Sequence, residues 1–204
     1  IGCYGDSLAK TPTMDRLAAD GVRFTSAFST GTVSSPSRFC LITGMTPATM
    51  GTGNHRSQYP IPDFVHGFPK YLRDAGYYTS NNYKTDYNNA REKEMIAESW
   101  DESSGKAGWW KRKPGQPFFA VFNSPHSHQS RTMTNPWNYY EKQVLQHLDS
   151  DWVTATDAPF DMPDFYRDTP EMRRQMSRVY NSISLTDQQF ERILARLERE
   201  GLKD

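Results

Sequence analysis

The clearest pattern of hydrophobic and polar positions lies near the end of the chain. Thr169, Pro170 and Glu171 are residue types that open a helix, and apolar residues then recur at helical spacing up to Glu200. The sequence therefore predicts one long amphipathic helix. The residues expected on its buried face are Ile183, Phe190, Ile193, Leu194 and Leu197.

Shorter helices and strands alternate before this helix. In chain order, the pattern predicts a helix over residues 12–20, a strand over 22–25, a helix over 67–75 and strands over 77–79 and 118–122. The last strand follows Pro117 and is uniformly apolar, which is typical of a central strand in a parallel sheet. Residues 135–168 show no period and are predicted to form an irregular insertion.

This alternation predicts an α/β fold in which a mostly parallel central sheet carries helices on both faces. No internal repeat or low-complexity linker interrupts the chain, so we expect a single domain. Residues 22–25 would lead toward Ser34, which would then lie on a strand-to-helix connection.

The composition excludes several classes of protein. The 204 residues are 36% hydrophobic and 13% aromatic, which is enough for one core. The 24 basic side chains balance 24 acidic ones, and this neutrality argues against a nucleic-acid partner. No apolar run is long enough to cross a membrane, and no membrane partner is expected. Cys3 and Cys40 are too few for a disulfide framework.

The strongest functional signal is the unbroken run SSPSRFCLITG at residues 34–44. This run resembles the signature of the type I, formylglycine-dependent sulfatases of the alkaline phosphatase superfamily. In that family, the Ser or Cys that opens the pattern is oxidised to formylglycine, the residue that attacks the sulfate ester. The resemblance implies that Ser34 is the modified nucleophile and that the fold is alkaline phosphatase-like.

The local sequence independently favours an anion at Ser34. Pro36 suits the first turn of a helix over 37–43, Ser34 or Ser35 can cap it, and Gly44 can end it. Ser34 would then lie at a helix N-terminus, where free N–H groups and the helix dipole favour a tetrahedral anion. Arg38 lies about one turn further on, close enough to fold back toward position 34 and bind an oxyanion. A surface salt bridge is its alternative role.

The segment from Gly76 to Lys84 resembles the second sulfatase signature. In that signature, a Lys binds the sulfate and contacts the formylglycine. Lys84 stands at the matching position. The family commonly has Gly before this Lys and His two residues after it, whereas this chain has Tyr83 and Asp86. Asp86 could replace His as a proton acceptor only with a suitable pKa or suitable partners. A solvated turn is the alternative for both residues.

His55 and Arg56 follow the motif helix by about a dozen residues, in a segment rich in Gly. Together with Asp86 they are candidates for substrate binding. An exposed surface position without a role is the alternative for this pair.

The predicted strand over 118–122 runs into a segment with His126 and His128. Family members usually carry a His here that protonates the leaving oxygen or holds the sulfate. The local Pro-His match favours His126, whereas counting from the Phe-Phe pair favours His128, our first candidate. An ordinary pKa of about 6.5 suits a group that holds or donates a proton near neutrality.

The resemblance also implies a calcium ion, with Ser34 as formylglycine among its ligands. The aspartate pair and the Asp-Asn or Asp-His pair that supply the other ligands in the family would lie outside residues 1–204. We therefore interpret the chain as a partial sulfatase catalytic domain. Calcium takes about six to eight oxygens, and no dense carboxylate cluster in the sequence offers a replacement.

The implied function is that of a sulfuric ester hydrolase acting on a sulfated carbohydrate through an ester or a sulfamate. The later motifs look most like heparan N-sulfatases and bacterial polysaccharide sulfatases. Because the nucleophile is Ser, an anaerobic sulfatase-maturing enzyme is the expected partner. A periplasmic or secreted location is also expected for the protein. Two alternatives stay open: a phosphate or phosphonate ester hydrolase of the same superfamily, and a noncatalytic sulfatase-like binding protein in which Ser34 is never oxidised.

Overall fold

The computed structural model describes residues 1–203, and the contacts divide the chain into two compact units. The continuous unit is Ser26–Asn123. The discontinuous unit joins Ile1–Thr25 to the residues from Ser124 onward.

The helices and strands are as follows. The α-helices are α1 (Pro12–Asp20), α2 (Ser34–Thr43), α3 (Pro47–Met50), α4 (Phe68–Asp74), α5 (Glu92–Ser99), α6 (Trp137–Gln143) and α7 (Pro170–Arg199). The strands are β1 (Tyr78–Asn82), β2 (Glu102–Ser103) and β3 (Phe118–Phe122). Single 3-10 turns cover Gly2–Tyr4, Trp109–Lys111, Leu145–His147 and Ser150–Trp152, and a π-helical turn covers Ser130–Thr134.

The continuous unit contains a parallel sheet in the order β2-β1-β3. Ser80 of β1 lies opposite Glu102 of β2 and Ala120 of β3. The predicted parallel sheet is therefore confirmed, but the prediction of the central strand is wrong. Within the described residues β1 is central and β3 lies at an edge. The apolar pattern does not reveal the central position of β1, because β1 buries polar side chains.

The core of the continuous unit fixes α2 in place. Phe39 and Ile42, three positions apart on α2, are buried together with Met95 of α5 and Trp100. Trp100 stacks on Phe119 of β3 with ring centroids 6.0 Å apart. At the opposite end of α2, Ser34 is only half-buried, whereas Ser35 and Pro36 beside it are buried.

The boundaries of α2 partly confirm the sequence prediction. Gly44 ends the helix in a left-handed conformation (φ 71°), and its N–H bonds to the Cys40 carbonyl. The helix begins earlier than predicted: Val33 is the N-cap and Ser34 is the first helical residue. Ser34 thus lies at the helix N-terminus, as expected, although neither Ser34 nor Ser35 is the cap.

The predicted strand over residues 22–25 is wrong. Val22 and Phe24 are 79% and 68% exposed, and this segment is irregular. A β-prone sequence forms a strand only where a partner supplies hydrogen bonds, and local sequence cannot reveal that partner. The strand-to-helix connection expected before Ser34 is absent from the described residues.

In the discontinuous unit, α7 supplies the cap of α1 from a distant part of the sequence. The carboxylate of Asp187 is fully buried and accepts hydrogen bonds from the N–H groups of Thr13 (3.0 Å) and Met14 (2.8 Å). Two of the N–H groups left free at the start of α1 are thereby satisfied by a negative charge.

The long helix α7 is confirmed, and Thr169 caps it by accepting the Met172 N–H. Its buried face differs from the prediction. The apolar residues expected in the core are only half-buried, whereas the fully buried positions in its middle are mostly polar. Asn181, for example, donates to the Tyr140 hydroxyl (2.8 Å) and accepts the Thr154 N–H (2.6 Å). A hydrophobicity pattern cannot detect burial through such paired polar groups.

Residues 135–168 are less irregular than predicted, because α6 and two 3-10 turns lie within them. Tyr140 and Val144 from this region pack with Leu148 and with Leu185 of α7. None of the helices described is both long and apolar enough to span a membrane.

Candidate active site

The candidate site starts at the N-terminus of α2. Ser34 is the first helical residue and is half-buried, while Ser35 beside it is fully buried. The first intrahelical bond runs from the Ser37 N–H to the Val33 carbonyl (3.1 Å). Because Pro36 has no N–H, the α2 amides before Ser37 that can face an anion at Ser34 are those of Ser34 and Ser35.

Ser35 connects this helix start to the segment that carries His55 and Arg56. Its hydroxyl oxygen accepts the Arg56 N–H (3.0 Å) and lies 2.8 Å from Nδ1 of His55. Both the His55 and Arg56 side chains are exposed. The structure thus brings two predicted substrate-binding residues next to the predicted nucleophile.

Arg38 connects the same helix to the segment that carries Lys84. Its Nε donates to the Thr85 carbonyl and its Nη2 to the Lys84 carbonyl. Burial lowers the pKa of the Arg38 guanidinium, and the negative charges of nearby Asp86 and Glu92 oppose this shift. The guanidinium stays charged and holds the Lys84 backbone in place. Its predicted contact with a sulfate oxyanion remains a prediction.

Lys84 and Asp86 form a loose ion pair. Lys84 Nζ lies 4.0 Å from Asp86 Oδ2, and their side chains are 35% and 29% exposed. An ion pair at this distance and exposure is weak, so Lys84 can still bind an anionic ligand. Asp86 nevertheless lowers the positive charge around it.

Three non-glycine residues of this site adopt the left-handed backbone conformation: Arg56 (φ 55°), Asp86 (φ 59°) and Asn88 (φ 60°). Such conformations cost free energy and persist only where the surroundings hold them. They fall in the two segments joined to α2 by Ser35 and Arg38. Both segments are therefore held in defined conformations.

The two candidate histidines belong to the discontinuous unit and have different environments. His126 is half-buried, and among the described residues its buried Nδ1 has no hydrogen-bond partner. Burial lowers its pKa, and Arg131 and His147 lower it further. His128 is exposed, and its Nδ1 lies 3.3 Å from the Ser130 backbone nitrogen and 3.2 Å from the Ser130 hydroxyl oxygen.

The described side chains do not form a calcium site by themselves. Across residues 1–203, no group of three or more His, Cys, Asp or Glu side chains is placed to hold a metal ion. Because calcium takes about six to eight oxygen ligands, Ser34 would need ligands from elsewhere.

Comparison with known proteins decides the family. The profile of the Sulfatase family matches residues 1–204. The chain belongs to the sulfatase family. The run at residues 34–44, which resembles a sulfatase signature, therefore lies in a chain of this family, and α2 presents the first residue of that run at the helix N-terminus.

Two curated relatives illustrate this sulfatase chain's similarities. An ulvan-active sulfatase from Formosa agariphila is 32% identical over 98% of this chain and 38% of its own length. An N-acetylglucosamine-6-O-sulfatase from Bacteroides thetaiotaomicron is 38% identical over 39% of this chain and 14% of its own length. The chain therefore spans less than half the length of the curated relatives it matches.

Solved structures support the same fold. The protein BT4656, solved in complex with its substrate D-glucosamine-2-N,6-O-disulfate, matches with a TM-score of 0.61 at 19% identity. The match covers 100% of this chain and 60% of that one. The 2-O GAG sulfatase BT1596 matches with a TM-score of 0.63 at 16% identity, over 97% of this chain and 51% of that one. The expected alkaline phosphatase-like sulfatase fold is confirmed.

Proposed function

We propose that the protein containing this chain hydrolyses sulfate esters of a carbohydrate, with Ser34 converted to formylglycine. The observation that carries the proposal is the sulfatase run at the N-terminus of α2, with Arg38 of that run bonded to the Lys84 segment. A nucleophile position, a helix N-terminus and a cationic side chain are thereby gathered in one part of the continuous unit.

Hydrated formylglycine at position 34 would supply a hydroxyl oxygen that attacks the sulfur while the bond from sulfur to the alcohol oxygen breaks. The second hydroxyl would then expel sulfate and regenerate the aldehyde, which water hydrates again. The free N–H groups of α2 and the ammonium of Lys84 offset negative charge on the transferred sulfate. Arg38 keeps the Lys84 segment in place through its two backbone contacts. These roles use the positioning and charge stabilisation on which enzymes rely for the transfer of anionic groups.

His128 is proposed to protonate the departing alcohol. The imidazolium form would donate its proton to the departing oxygen and be left as the neutral ring, and the side chain is exposed. His126 is the weaker candidate, since its lowered pKa leaves little of the protonated form at neutral pH.

The substrate is proposed to be a sulfated polysaccharide or an oligosaccharide derived from it. The names of two relatives, an ulvan-active sulfatase and an N-acetylglucosamine-6-O-sulfatase, support this class. Ulvan oligosaccharides and N-acetylglucosamine 6-sulfate are therefore the first substrates to test. Calcium, an anaerobic maturing enzyme and a periplasmic or secreted location remain proposals that follow from the family resemblance.

The central test is conversion of Ser34. The complete protein, coexpressed with an anaerobic sulfatase-maturing enzyme, should yield a peptide containing residue 34 that is lighter by two hydrogens in mass spectrometry. The matured protein should hydrolyse 4-nitrophenyl sulfate much faster than 4-nitrophenyl phosphate. Faster phosphate hydrolysis would favour the phosphoesterase alternative. Sulfate hydrolysis by a preparation with no converted peptide would contradict the role of Ser34.

A further inference from the structure

The segment with His55 and Arg56 has no helix or strand of its own. Residues 51–60 are in turns, bends and irregular backbone, and most of their side chains are exposed. A segment of this kind is usually mobile unless other parts of the protein hold it. Here two buried side chains hold it, Ser35 of α2 and Asn88 of the segment that follows Lys84.

Asn88 makes three hydrogen bonds to the backbone of this segment. Its Nδ2 donates to the carbonyls of Thr52 (2.6 Å) and Asn54 (3.0 Å), and its Oδ1 accepts the Ser57 N–H (2.7 Å). The side chain is 2% exposed. An amide can both donate and accept in this geometry, whereas a carboxylate could only accept.

Ser35 fixes the ring of His55. The Ser35 oxygen already accepts the Arg56 N–H, and among the described contacts of this fully buried residue His55 Nδ1 is the acceptor available to its hydroxyl hydrogen. Nδ1 is then the accepting nitrogen, and the hydrogen of the neutral ring lies on Nε2. His55 therefore presents an N–H donor beside the start of α2.

We infer that Asn88 is a positioning residue that holds His55 and Arg56 in place to bind the carbohydrate portion of the substrate. This inference rests on the proposed function and adds a residue to it. The hydrogen bonds of Asn88 end on the segment between Thr52 and Ser57. In that segment, exposed His55 supplies a hydrogen-bond donor and exposed Arg56 supplies a cation. Hydroxyl and sulfate oxygens of a sugar are the acceptors that such a pair binds.

Asn89 provides a matched control. It is equally buried, at 1% exposure, and its amide likewise donates to a backbone carbonyl, of Tyr87 (2.9 Å), and accepts a backbone N–H, of Arg91 (2.8 Å). None of these contacts reaches residues 52–57. Asn88→Asp and Asn89→Asp therefore make the same chemical change at neighbouring buried sites, and only the first removes bonds to the His55 segment. Ser35 is unsuitable for this test because it lies within the maturation motif.

The first measurement is independent of activity. In the complete protein with ¹⁵N-labelled histidine, His55, assigned through a His55→Gln variant, should show its hydrogen on Nε2. Asn88→Asp should shift the His55 nitrogen resonances toward those of a mixture of tautomers, and Asn89→Asp should leave them as in the wild type. Unchanged His55 resonances in Asn88→Asp, or equal changes in both variants, would overturn the inference.

The second measurement separates positioning from general destabilisation. The sugar substrate is whichever of the ulvan oligosaccharides and N-acetylglucosamine 6-sulfate the wild type hydrolyses fastest. On it, Asn88→Asp should raise KM about tenfold and change kcat less than about twofold, since the variant weakens contacts made equally in the ground state and the transition state. The increase in KM should be at least about five times larger than for 4-nitrophenyl sulfate, which lacks a sugar. Equal increases for both substrates would contradict the inference. A wild type inactive on every sulfate would refute the proposed function, while the His55 resonances would still decide the role of Asn88.

Discussion

The two units of this chain both bury polar side chains, but the hydrogen bonds of those side chains end in different places. In the discontinuous unit, Asp187 and Asn181 of α7 bind the backbone of α1 and of Thr154. In the continuous unit, Ser35 and Asn88 bind a segment that carries exposed, chemically active side chains.

This difference separates two uses of the same interaction. A buried polar group that satisfies a helix end or a neighbouring loop stabilises the fold, because an unsatisfied buried N–H is costly. A buried polar group that fixes an exposed loop mainly restricts where that loop's side chains can be. Mutations of the first kind should lower stability, and mutations around the candidate site should lower activity.

The largest expected effect is loss of activity in Ser34→Ala. Removing the group that is converted to the nucleophile should lower kcat on 4-nitrophenyl sulfate by at least about 10⁴-fold. The free energy of unfolding should change by less than about 0.5 kcal/mol, because Ser34 is only half-buried. Denaturant unfolding and steady-state kinetics on the matured protein measure both quantities. Activity retained above about 1% of the wild type would contradict the role of Ser34 as the nucleophile.

The next effect separates the two histidines. His128→Ala should lower kcat on an alkyl sulfate, a poor leaving group, by about 10² to 10⁴-fold, the usual contribution of a general acid. On 4-nitrophenyl sulfate the loss should be less than about tenfold, because this leaving group needs little protonation. His126→Ala should show no such dependence on the leaving group. The reverse result would assign the acid to the half-buried histidine, and no dependence in either variant would place it elsewhere.

The smallest effect on activity, and the clearest effect on stability, is expected for Asp187→Ala. Two buried N–H groups at the start of α1 would lose their charged acceptor, which should cost about 2 to 4 kcal/mol in the free energy of unfolding. Glu191→Ala, at an exposed position of the same helix, is the control and should cost less than about 0.5 kcal/mol. Below the unfolding transition, kcat should stay within about twofold of the wild type. A lower kcat in the fully folded Asp187→Ala variant would show that Asp187 also affects the activity.

The sequence predicts most of the helices and the residues of the motif, but few of the contacts between them. Gly44 and Thr169 are local signals for helix ends, and the structure has both helix boundaries there. The roles of Asn88 and Asp187 could not be predicted, because each depends on backbone groups that are distant in sequence. The strand prediction for residues 22–25 is wrong for a related reason, because a strand forms only where a partner strand pairs with it.

Within the candidate site, the run at residues 34–44 points to Ser34 and Arg38, and the run at residues 76–84 points to Lys84, because both encode chemistry in residue type and spacing. Neither run indicates that Arg38 donates to the carbonyls of Lys84 and Thr85. Left-handed Asn88 leaves only a faint signal, since Asn tolerates that conformation at many surface turns. The chemistry of the site is therefore visible in the sequence, whereas its internal support is visible only in three dimensions.

The long-range cap of α1 also affects the order of events during biosynthesis. Thr13 and Asp187 are 174 positions apart, so a ribosome adding about 5 to 20 residues per second takes roughly 10 to 35 s to make the acceptor after the helix it caps. The whole of Ser26–Asn123 is made within that interval. The nascent chain can thus complete the segment that holds Ser34, Lys84 and Asn88 while the start of α1 still lacks its carboxylate.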